Sequence, residues 1–161
     1  MDQTQCREKL GHLMHDESVA LTELSSLLDR EHGFLEANDV VSLESTARDR
    51  QRCVARISRV DEERRTLCRD TGRTEDVNGL EDLLHWCDPN GTLAGHWADC
   101  AQAADRCRSL NDRNGSLVAA RLQHVQARLS TLIAGGREST TYGPRGAYSQ
   151  PATGRVLTTE A

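Results

Sequence analysis

The feature that most constrains the fold is the spacing of large apolar side chains near the N-terminus. Leu10, Met14, Leu21, Leu24, Leu28 and Leu35 recur in steps of 4 and 3, with Glu17 and Glu31 at the intervening positions of the row. Leu13, Ala20, Leu27 and Phe34 widen the row to one side. Such steps put side chains on one face of an α-helix, and a row this long is a seam that needs a helical partner. The spacing predicts a first helix over about 5–36.

"EANDVVSLE" interrupts the row, and Asn38-Asp39 is a turn signal. Asp39 is suited to cap a second helix by accepting from its exposed backbone N–H groups. That helix is expected over 39–69, with Val40, Leu43, Ala47, Val54, Ile57 and Leu67 as its packing face. So short a connection between long helices makes them antiparallel. Arg48, Arg52, Arg56 and Arg59 share another face of this helix. An acidic partner or RNA would fit that face, but acidic residues are interspersed at 49 and 61–63, and a solvated polar face is the simpler reading.

"DTGRTEDVNG" then breaks the periodicity, and "LEDLLHWC" makes a short amphipathic helix over 78–87 with Leu80, Leu83, Leu84 and Cys87 inward. "DPNG" at 88–91 is a turn, with proline well placed and glycine free to take positive φ. The longest run spans 92–134. Its row is Leu93, Trp97, Cys100, Ala104 and Cys107, then Asn111 and Asn114, then Val118, Leu122, Val125, Leu129 and Leu132. A helix of this length measures roughly 60 Å. Gly135-Gly136 is the expected stop.

Charged residues make up 28% of the chain and aromatics 3%. With one phenylalanine and two tryptophans, the core has to come from leucine, valine, alanine and cysteine. Narrow helical seams fit that composition better than a thick core. The fold class expected is all-α: an elongated antiparallel helical hairpin or coiled-coil-like bundle over 1–136, with a long C-terminal helix and a disordered tail over 137–161. The tail is rich in Ser, Thr, Gly, Pro and Arg, and such a segment cannot bury enough surface to offset its ordering entropy. It nevertheless holds both tyrosines, in "TTYGPRGAYSQPATGR".

The net charge of −5 argues against general nucleic-acid binding, which relies on Lys and Arg replacing phosphate counterions. No apolar run is long enough to span a bilayer. "MDQTQCREKLGHL" has an early acid and no apolar h-region, unlike a secretory signal. Six cysteines scattered through helical pattern suit reduced thiols serving as small apolar residues, and the expected compartment is the cytoplasm.

Catalytic signals are missing: no glycine-rich phosphate loop, no GxSxG, no HExxH. No enzyme activity and no cofactor are expected. His85, Cys87, His96, Cys100 and Cys107 lie close in sequence and invite a zinc reading. They lack the short paired spacing of structural zinc sites, and two of the cysteines already serve the helical seam. The expectation is no metal.

"SLNDRNGSLVAARLQHVQARLSTLIAGG" carries more information. Asn111 and Asn114 occupy seam positions where leucine would pack better. Either they are buried amides that fix register, or the helix is interrupted there and they are solvated. Gly115 costs about 1 kcal/mol against alanine inside a helix, and close backbone approach or a bend would account for it. Beyond it, Leu117, Val118, Leu122, Val125, Leu129, Leu132 and Ile133 exceed what a finite hairpin seam can cover. Surplus apolar surface of this kind marks a partner site.

Asn111–Gly115, the upstream Trp97, and Tyr142-Gly143 with Gly146 together resemble the FlgN-type flagellar export chaperones. The acidic "LEANDVVSLE" corner has the same character. The likeness spans nearly the whole chain and is most specific over 97–149; the cysteines and the scarcity of lysine are not part of it. It implies a small helical chaperone of the flagellar type III export apparatus. Its clients would be the first and third hook-associated proteins, which form the hook–filament junction. It would hold their C-terminal helical regions, prevent premature assembly and deliver them to the membrane export gate, with the export ATPase as a further partner. On that basis Leu117, Val118, Leu122, Val125, Leu129 and Leu132 are expected to bind the client, with the tail folding over it. Tyr142 and Gly143 are expected to dock on the gate, and Trp97, Asn111, Asn114 and Gly115 to be the structural motif. The competing expectation is a structural or regulatory coiled-coil protein, for which the Tyr-Gly tail has no use.

Overall fold

A computed structural model describes residues 1–135 as four α-helices: α1 (Gln3–Ala37), α2 (Val40–Asp70), α3 (Val77–Cys87) and α4 (Ala94–Gly135). It divides into two compact units, one ending at Val118 and the other beginning at Ala119, so α4 contributes to both. All four elements are α-helical, as the seam spacing and low aromatic content require.

Each early helix starts on an aspartate. Asp2 accepts from Gln5 N (2.8 Å), and the Gln5 side chain reaches back to the Asp2 backbone. Asp39 caps α2 through Ser42 N (3.1 Å), and Asp76 caps α3 through Gly79 N (2.9 Å). Asn38 ends α1 in the left-handed region (φ 60°), where asparagine is one of the few side chains tolerated. The turn is therefore so tight that α2 folds back along α1. Gly79 is needed for a different reason: a Cβ there would meet the Thr74 carbonyl oxygen at 1.8 Å.

Within the first unit, α1 is gripped in two registers. Against α2, Arg64 Nη1 donates to Glu17 Oε2 (2.8 Å) and Arg50 Nη1 lies 3.5 Å from Glu31 Oε1. The partners lie two heptads apart on each helix, so both ion pairs belong to one antiparallel alignment. Against α4, Cys100 Sγ donates to Met14 O (3.4 Å), Cys107 Sγ to Leu21 O (3.3 Å) and Asn114 Nδ2 to Leu28 O (2.8 Å). Donors and acceptors both advance by seven residues, which defines a parallel alignment. The core between these contacts includes Leu10, Met14, Leu21, Leu28, Leu67 and Leu83, closed by α3 through Leu80 and Cys87.

The α2 packing face differs from the apolar reading. Val40 and Val54 are exposed, as is Ala47, while Thr46, Cys53, Val60 and Leu67 are buried. Leu43 and Ile57 are half-buried, so the true seam runs one step round the helix. The cause is that Arg50 and Arg64 occupy seam positions, paired to the two glutamates of α1. A search for apolar residues alone slides past them.

All six cysteines are buried and unpaired. Burial, reinforced by the neighbouring Cys87 thiol, pushes the Cys6 thiol up to about 12. Burial likewise raises Cys53, Cys68, Cys87, Cys100 and Cys107. They pack as small apolar groups with weak donors, two of which serve the α1–α4 alignment.

Candidate partner-binding face

The two asparagines behave differently, and the helix runs through them without interruption. Asn114 is 3% exposed. Its Nδ2 donates to Leu28 O and, at 3.0 Å, to Glu31 Oε2. Its Oδ1 therefore faces His32 Nδ1 at 3.0 Å. Glu31, buried, also receives Arg50, whose Nη1 donates to Asn111 Oδ1 at 3.4 Å. Asn111 itself is exposed. The motif thus contributes one interior amide and one rim amide to a polar layer shared by α1, α2 and α4. Gly115 meets nothing within 4 Å of where a Cβ would stand, so close backbone approach does not account for it.

Trp97 is half-buried, with the Arg64 guanidinium over its ring, 5.2 Å from the centroid. Arg64 also donates to Asp61 (2.8 Å). Burial would raise the Asp61 carboxyl, but the bonds and charge of Arg64 and Arg65 outweigh it and hold Asp61 below its ordinary value. Trp97 therefore covers the stronger of the two seam ion pairs. Arg50 and Arg64 are the residues that the apolar pattern missed. Their two-heptad separation, equal to that of Glu17 and Glu31, was the available signal.

In the first unit, Leu117 is half-buried and Val118 is 48% exposed. In the second, Leu122, Val125, Leu129, Leu132 and Ile133 are exposed by 57%, 52%, 53%, 73% and 68%. Leu122, Val125, Leu129 and Leu132 keep the 3–4 spacing and so form one continuous row on the helix. Tyr142 and Gly143 lie outside the described residues.

The other sequence candidates do not converge. His85 and His96 are exposed, whereas Cys87, Cys100 and Cys107 are buried, and among the described residues no group of three or more such side chains could hold a metal ion. Arg48, Arg52 and Arg59 are exposed; Arg52 pairs with Asp49, and Arg59 with Glu63, on their own helix. No helix among the described residues is long and apolar enough to cross a membrane.

Fold and face together define an all-α helical-bundle protein with a bare apolar row on its last helix. The family model described as "FlgN protein" matches residues 1–150, and the chain belongs to the FlgN family. This is a family of flagellar export chaperones that acts in flagellum biogenesis and binds hook-associated proteins, and it is not a family of enzymes. No curated protein and no solved structure matches the chain.

Proposed function

We propose that the chain is a cytoplasmic chaperone that holds the C-terminal helical region of the first and third hook-associated proteins on the apolar row of α4. By covering segments that would otherwise polymerise, it prevents their premature assembly. It then delivers them to the export gate, docking through Tyr142 and Gly143, with the export ATPase as a further partner. The observation that carries this reading is the exposure of Leu122, Val125, Leu129 and Leu132 at helical spacing. An amphipathic client helix laid on such a row removes apolar surface from water on both chains. Val118 continues the spacing, and Leu117 contributes its exposed part.

Co-purification with hook-associated proteins, whole and lacking their C-termini, tests the assignment. Whole clients should be retained and truncated ones lost. Leu122→Asp or Leu129→Asp should abolish retention while leaving the helical circular-dichroism signal intact; a large loss of helicity would instead make these residues ordinary core. Removing 137–161 should leave helicity and oligomeric state unchanged and weaken delivery to the gate. A truncated chain that unfolds would end the docking assignment.

A further inference from the structure

The chain's negative charge is not spread evenly. Between Asp70 and Gly91 there are six carboxylates and one arginine, an excess equal to the whole net charge of −5, so the rest of the chain is balanced. This acidic stretch holds α3 and the turns on both sides of it. Three of its carboxylates are committed: Asp76 caps α3, Glu75 pairs with Arg69, and buried Asp88 accepts from Leu93 N and Thr92 Oγ1. The bond from Leu93 N, seconded by Thr92, holds the Asp88 carboxyl below the usual range, so Asp88 keeps its charge. Glu81 and Asp82 are exposed and make no ion pair among the described residues. The stretch's one arginine, Arg73, lies over the Trp86 ring, 4.7 Å from its centroid.

Glu81 lines a surface notch of about 260 Å³ where α3 meets the start of α4, all of it within the first unit. Its apolar lining is Leu84, Pro89, Ala94 and Trp97, and Asp88 also contributes. His85 is the one basic side chain in the lining, and Trp86 with its arginine takes no part. Glu81, Leu84, His85 and Asp88 follow in steps of 3 and 1 or 3, which keeps them on one side of α3. Leu84 and Trp97 are half-buried, so each still offers apolar surface to a partner.

We infer that this notch is a docking site, separate from the α4 row, for a cationic protein segment that inserts one bulky apolar side chain and sets a lysine or arginine beside Glu81. The notch is smaller than the roughly 300–1,000 Å³ of small-molecule pockets, which suits a single anchor side chain of a larger partner. Apolar burial supplies affinity without choosing among apolar segments; the acidic surroundings choose, because a cationic segment meets opposite charge there and an anionic one meets like charge. Nucleic acid and anionic lipid are repelled by the same field. A second copy of this end is disfavoured too, since it would bring the acidic stretch against itself.

The test uses three synthetic helical peptides on an alanine and glutamine background. One carries a leucine with a lysine one helical turn to either side, the second has glutamates for the lysines, and the third has alanine for the leucine. Binding to the full chain is followed by fluorescence anisotropy at low and at high salt. The lysine–leucine peptide should bind about tenfold more tightly than the glutamate peptide at low salt, as expected when rim charges change from attraction to repulsion. The gap should narrow in high salt. Loss of the leucine anchor should weaken binding by about tenfold or more. Glu81→Gln should weaken the lysine–leucine peptide more than Asp82→Asn, which removes the same charge from α3 outside the notch. Ala94→Leu, which fills the notch from an exposed position, should abolish the dependence on the leucine anchor while leaving the urea midpoint in place. Equal binding of the lysine and glutamate peptides overturns the inference, as do equal effects of Glu81→Gln and Asp82→Asn, which would reduce the preference to overall charge. Loss of binding in Leu129→Asp would put the peptide on the α4 row and also overturn it, without touching the proposed function. Self-association of the chain that Ala94→Leu abolishes would give the notch to a second copy and overturn it as well.

Discussion

The two stretches of α4 use one sequence period for opposite ends. Between Ala94 and Val118, the row turns inward at heptad intervals: Cys100, Cys107 and Asn114 are buried and donate to backbone carbonyls of α1. Between Ala119 and Gly135, the same 3–4 spacing carries larger aliphatic side chains, and they are open to solvent. The stretch that packs within the chain uses small thiols and one amide; the stretch that is left bare uses leucine and valine. Size follows from the neighbour. A cysteine or asparagine brings α4 close enough to hydrogen-bond the α1 backbone, whereas leucines leave a tall ridge suited to a second apolar surface.

The sharpest way to break that contrast is to shave one leucine from each environment. Leu83 is fully buried in the core under α3, and Leu83→Ala should cost about 2–5 kcal/mol through lost burial and the cavity left behind. Leu129→Ala, at 53% exposure, should change stability by no more than about 0.5 kcal/mol. Urea unfolding of the two variants measures both. Comparable losses would show that the outer row is packed in solution, and the division of α4 would fail.

Asn114 gives the next effect. Asn114→Ala leaves the Leu28 carbonyl, Glu31 and His32 without their shared amide, a loss of about 1–3 kcal/mol for buried groups left unsatisfied. Asn114→Leu restores apolar volume without restoring any of those bonds. If the amide sets register, the leucine variant should unfold less cooperatively or sample more than one α1–α4 alignment, visible as doubled amide resonances in α1. A leucine variant that is more stable than the parent and has a single set of resonances would reduce Asn114 to a tolerated polar residue.

Much of this was legible in the sequence, and the failures have one cause. The α1 seam was plain because its row is apolar except at Glu17 and Glu31. The α2 seam was misphased because Arg50 and Arg64 stand in it, and an apolar search moves to Val40, Ala47 and Val54, which are exposed. Periodicity reports that side chains share a face; it does not report what covers that face. For the same reason the buried and the bare parts of the α4 row look alike in sequence. What the spacing left undecided at Asn111 and Asn114 depended on Glu31, His32 and Arg50, all distant along the chain, so no local propensity could have resolved it.

Gly115 sets the smallest effect and the finest test of the contrast. It lies inside α4, close to the point where the first unit ends, and a Cβ there would meet open space. Alanine at this position should therefore add about 1 kcal/mol of stability, the usual difference between the two residues in a helix interior. A raised urea midpoint, together with slower amide exchange over 112–119, is the expected outcome. Client retention should be unchanged if the glycine only lowers helix propensity between the packed and bare stretches. Stability gained with retention lost would mean that α4 has to yield at Gly115 for the client to bind. The two halves of the helix would then be coupled through that residue's backbone freedom and not by any side chain on it.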